Sequence, residues 1–130
     1  MHTLLRLVLD TSSGDDTVVV RLFQNKTIVD EKTVEFTSND TQALLPGIVD
    51  QLASQNFNLG DVSEVIIVPG INRFTVDRLT TVIANGIGWT GDVPVTVRSI
   101  PLDSSTIGDK KAGTTFEPVP VQYSKSPTIN

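Results

Sequence analysis

The stretch that most constrains this chain is a four-residue apolar run, Val65-Ile66-Ile67-Val68, closed by Pro69-Gly70 and followed at once by a helical pattern. The run is unbroken and β-branched, the pattern of a strand buried on both faces of a sheet, so it is read as a central strand. Proline cannot donate to a ladder and glycine tolerates a sharp exit, so the strand ends there. From Phe74 the apolar positions Val76, Leu79, Ile83 and Ile87 recur at helical spacing, with Val82 widening the stripe, while Asp77, Arg78, Thr81 and Asn85 fall on another face. This predicts a crossover helix over Phe74 to Gly86.

The flanking sequence builds outward from that unit. Leu4 to Asp10 is an apolar strand broken by Arg6, which suggests an interior position. Thr17 to Gln24 is a second strand, and Asn25-Lys26 makes a short hairpin to a third, Thr27 to Phe36, whose alternating charges mark an exposed edge. Thr37-Ser38-Asn39-Asp40 offers N-caps for a helix over Asp40 to Ser54, with the stripe Ala43, Leu44, Leu45, Ile48, Val49 and Leu52. Pro46 inside it removes a backbone bond and predicts a kink or a late start. Trp89-Thr90-Gly91-Asp92 reads as a turn, and Val93 to Ile100 as a fifth strand. The order is β-β-β-α-β-α-β: a mixed five-stranded α/β sheet with strands one, four and five parallel and the hairpin strands to one side. Residues 1–100 form this lobe. Residues 101–130, rich in Pro, Ser, Thr and Gly and without periodicity, read as an extended tail that docks, if anywhere, around Val119 to Tyr123.

Composition narrows the chemistry. At 130 residues the chain can bury a core without a staple. It has no cysteine and one histidine, at position 2, which excludes a disulfide framework, a cysteine nucleophile, a serine-histidine triad and a multi-histidine metal centre. A net charge of −5 gives no footprint for gripping a nucleic acid backbone. No apolar run approaches the ~20 residues needed to span a bilayer. These features fit a cytoplasmic protein with no direct nucleic acid or membrane partner.

The element order is that of one lobe of the actin-like ATPase fold, which is also the ribonuclease H-like core. Within that group the chain resembles the N-terminal lobe of the TsaB-type family, also called YeaZ-like or glycoprotease-like, subunits of the machinery that makes threonylcarbamoyladenosine on tRNA. The resemblance rests on LDTSSGDDTVVVRL at Leu9 to Leu22, LLPGIVDQLASQNFNLGDVSEVIIV at Leu44 to Val68, PG with FTVDR at Pro69 to Arg78, and GWTGDVPVTVRSI at Gly88 to Ile100. Against the family's PGSFTGLRIG, Ile71-Asn72-Arg73 lengthens the turn, and Val76 and Thr80 stand where the family has glycines. The resemblance implies a subunit that is not itself the catalyst, carries no cofactor, and pairs through its two helices with a TsaD-type catalytic subunit or with itself as a dimer. Carried over by position, the implied contacts are Leu44, Leu45, Ile48, Leu52, Phe74, Arg78, Leu79 and Val82.

Two other readings compete at the end of the first strand. Asp10-Thr11-Ser12 sits where actin-like ATPases place their first phosphate-binding turn, and a single lobe offers half of such a cleft, so the turn is read as vestigial. Aspartate and serine also close a hairpin corner with no ligand at all, which is the preferred reading. Asp10 as a nuclease metal ligand needs further converging carboxylates. Asp50 is one candidate, but strand four ends in Val68-Pro69-Gly70 with none. Pro69-Gly70 lacks the lysine-serine/threonine ending of a P-loop. An enzyme of the same fold, either a nucleotide hydrolase assembled across a dimer or a metal-dependent nuclease, is the alternative to the scaffold reading.

Overall fold

The computed structural model describes residues 4–12, 17–35, 44–69, 74–98, 116 and 118, with the course of the helix alone given over 74–77. The strands are β1 (Leu5–Asp10), β2 (Thr17–Gln24), β3 (Thr27–Glu35), β4 (Glu64–Val68) and β5 (Val95–Val97); the helices are α1 (Leu44–Ser54) and α2 (Phe74–Gly91), with a 3-10 turn at Leu59–Asp61. Among the described residues the sheet order is β3-β2-β1-β4-β5. β1 runs antiparallel to β2 and parallel to β4, and β4 is parallel to β5. The expected mixed sheet is present, with β3 at its edge. Its middle strand is β1 rather than β4, although β4 is interior and paired on both sides.

Both helices lie on one face. Leu5, Leu7 and Leu9 of β1 meet Leu44, Ile48 and Leu52 of α1 and Ala84 and Ile87 of α2 in one core. The Gln51 amide reaches through this layer and donates to the Val20 carbonyl at 3.0 Å, tying α1 to the backbone of β2. Pro46 is the third residue of α1, in the first turn, where its missing N–H has no intrahelical partner to lose; the late start removes the need for a kink. The N-cap candidates Thr37 to Asp40, the ends of β3 and β5 at Phe36 and Ile100, and the region around Val119 to Tyr123 lie outside the described residues.

Three expectations are corrected. Trp89-Thr90-Gly91 is the last turn of α2, which runs to Gly91 rather than Gly86. The helix ends in a Schellman motif: Asp92 takes φ 53°, Asp92 N–H donates to Trp89 O and Val93 N–H to Gly88 O at 3.0 Å. α1 closes the same way, with Asn56 at φ 66° and Phe57 N–H on Leu52 O at 2.8 Å. Second, β5 begins at Val95, because Val93 is spent on that motif and Pro94 has no N–H to give a ladder. Third, the sheet-facing side of α2 is Thr80, Thr81, Ala84, Ile87 and Gly88, so Thr81 is inside rather than out. Small residues let the helix approach closely: a Cβ on Gly88 would run into Val95 Cγ2 and stand 3.0 Å from the Val93 carbonyl.

Candidate functional site

Two places bear on function, the turn after β1 and the outer side of the helices. At the turn, Thr11 N–H and Oγ1 both donate to Val68 O, at 2.9 and 3.3 Å, which fastens the end of β1 to the end of β4. Asp10 is 2% exposed and its two carboxylate oxygens face different partners. Oδ1 accepts from Ser12 N–H at 2.8 Å and from the Ser12 hydroxyl, an Asx-turn closed on itself. Oδ2 accepts from Arg21 Nη1 at 2.7 Å, and Arg21 Nε donates in turn to Glu31 Oε2 at 2.6 Å. Burial by itself would lower the Arg21 pKa, but the hydrogen bonds to Asp10 and Glu31 and their charges outweigh it and raise it. The three side chains form a charge string across β1, β2 and β3.

That arrangement is a fastening more than a cradle. Asp50, the other carboxylate of the nuclease reading, is exposed on α1, on the opposite side of the sheet from Asp10. Among the described residues no three His, Asp or Glu side chains gather where they could hold a metal ion. Gly70 and the rest of the turn into α2 lie outside the described residues.

The helical side is different in character. Of the eight residues implied as partner contacts, Leu44, Ile48 and Leu52 are fully buried against the sheet, and Phe74 is placed by its backbone alone. Leu45 is 41% exposed, Val82 56%, Arg78 is exposed and Leu79 half-buried. Leu45 and Val82 come together. With Leu59 of the 3-10 turn and Ile83, Gly86 and Ile87 of α2 they line a groove of about 420 Å³ whose lining contains no charged residue. Because small residues face the sheet, Val82 and Ile83 are turned toward this groove. Trp89, two turns beyond Val82 on the same helix face, stands 75% exposed. Sequence reasoning missed Leu59, Gly86 and Trp89. A glycine inside a helix was the available signal, and a Cβ there would meet nothing within 4 Å.

The fold has counterparts among solved structures. YeaZ from Pseudomonas aeruginosa superimposes with a TM-score of 0.62 at 25% identity, over 76% of this chain and 44% of that one. In fold the chain is similar to YeaZ. A second structure, described as an uncharacterized protein with similarity to peptidase YEAZ from Pseudomonas aeruginosa, gives a TM-score of 0.61 at 26% identity over the same shares. No family model and no curated protein matches. The chain therefore corresponds to one lobe of the actin-like fold and spans less than half the length of these two structures. Among the described residues no helix is long and apolar enough to cross a membrane.

Proposed function

We propose that this chain is a non-catalytic docking lobe in the cytoplasmic machinery for threonylcarbamoyladenosine on tRNA, offering the groove between α1 and α2 to a TsaD-type catalytic subunit or to a second copy of itself. The observation that carries the reading is the uncharged groove lined by the exposed Leu45 and Val82, with Trp89 exposed two turns further along α2, apolar surface that the lobe's own core does not use. Clustered exposed apolar side chains of this kind mark interfaces. The likeness to YeaZ supports the pathway, and the engagement of both Asp10 oxygens by Ser12 and Arg21 supports a role without catalysis at that turn. The fully buried Leu44, Ile48 and Leu52 serve the groove by fixing α1 rather than by touching the partner.

The test is the mass in solution by light scattering, alone and with a TsaD-type subunit, for the native chain and for Leu45→Glu and Val82→Glu. Both sites are substantially exposed in the lone lobe, so the variants keep the native circular dichroism. In a complex each would bury an unpaired carboxylate at a cost of several kcal/mol, so association is lost. An unchanged mass for the native chain in both samples, or variants that associate as well as the native chain, would sink the proposal.

A further inference from the structure

The end of α2 is a weak helix by its sequence. Three of its last six residues, Gly86, Gly88 and Gly91, are glycine, the poorest helix former after proline, and no basic side chain stands in the last turn to meet the helix dipole. This turn nonetheless forms part of the surface that bears on function. Thr90 and Gly91 line one end of the groove, and Trp89 beside them is exposed. Local propensity does not hold such a turn in register, so tertiary contacts have to.

Those contacts meet at one corner. Gly88 is turned toward β5, where a Cβ would collide with Val95. Phe116 takes up the space that the missing Cβ leaves, and its Cδ1 would lie 2.8 Å from such an atom. The ring is half-buried and packs against the helix-side core, while the Phe116 N–H donates to Asp92 Oδ1 at 3.2 Å. Asp92 is the left-handed residue that closes α2, with its own N–H on Trp89 O and the following Val93 N–H on Gly88 O. One residue, distant in sequence, thus touches the helix at Gly88 and holds the carboxylate of its cap. Phe116 does not line the groove. It lies on the β5 side of α2, whereas the groove opens on the side of α1 and the 3-10 turn.

We propose that Phe116 is a latch on the end of α2, a positioning residue that fixes Trp89, Thr90 and Gly91 from behind and so sets one end of the docking groove without touching a partner. The link to docking rests on the function proposed above; the latch itself does not. The test uses the full chain, native and with Phe116→Ala or Phe116→Leu. Backbone order is read by amide NMR relaxation and association by light scattering, both well below the melting temperature of every variant, so that a lower global stability alone moves neither. Phe116→Ala is expected to loosen the amides of Trp89 to Asp92 while those of β1 keep their order, and to weaken association several-fold. Phe116→Leu, which refills much of the slot, restores both. Unchanged order at Trp89 to Asp92 in the alanine variant would overturn the latch, and loosened order with undiminished association would overturn its bearing on the groove. A native chain that associates with nothing defeats the docking reading alone, because the order at Trp89 to Asp92 still upholds or overturns the latch.

Discussion

Asp10 shows how one side chain changes meaning once its neighbours are placed. In the sequence it is an aspartate before Thr-Ser at a strand end, open to a phosphate, a metal or a corner. In the structure Arg21 of β2, which sits opposite Val8, reaches diagonally to its Oδ2, and Ser12 takes its Oδ1. The two ends of the charge string are unequal, because Glu31 is 53% exposed and Asp10 is dry. Arg21→Ala leaves a buried carboxylate with its serine contacts alone and is expected to cost about 2–3 kcal/mol. Glu31→Ala removes a solvated partner and costs under about 1 kcal/mol. Urea unfolding of the two variants checks the difference, and equal losses would show that the string matters as a unit. The Asp10–Arg21 pair was not legible in the sequence, since it depends on the register of β1 against β2. The interior position of β1 was legible from its apolar residues, whereas Arg6, which breaks their pattern, gave no sign that it would itself be buried.

At the scale of elements, strand identity and order were readable because β-branched runs and alternation report burial directly, as in Val65 to Val68 against Thr27 to Glu35. The orientation of α2 was not. Its apolar stripe suggested the inward side, yet Thr80, Ala84 and Gly88 face the sheet. The cause is the close approach at Val95, which no local pattern records. For the same reason Trp89-Thr90-Gly91-Asp92 looks like a turn in the sequence, when its glycine and aspartate are the end of a helix with a left-handed cap. Two glycines of α2 separate packing from propensity. Gly88→Ala drives a methyl into Val95 and the Val93 carbonyl and is expected to destabilise by about 1–3 kcal/mol although alanine favours helix. Gly86→Ala, into open space, is expected to stabilise the lone lobe by about 0.5–1 kcal/mol. Thermal melts of the pair check the opposite signs. A Gly86 methyl that weakens association while raising the melting temperature would also locate the crossing point of a partner's backbone.

For the whole molecule, the lobe's sheet serves two surfaces of unlike kind. The helical side ends in an uncharged groove, and the other side is dry without a described helix. The lobe and its β-β-β-α-β-α-β order are legible in the spacing of apolar residues alone, and the likeness to YeaZ agrees with them. The groove is not, because it is made by residues from α1, the 3-10 turn and α2 that are distant in sequence and meet through packing. Trp89 gives the end of α2 beside that groove an optical consequence. The chain has a single tryptophan, and it stands in solvent at 75% exposure rather than in the core. Its indole already emits as it would from an unfolded chain, so denaturation leaves the colour of its fluorescence nearly unchanged. Covering it with a companion protein shifts the emission to the blue. Titration in a fluorimeter thus reads contact at this end of α2 against an almost silent folding background, and an emission maximum that stays fixed as a light-scattering complex forms would place the contact away from Trp89.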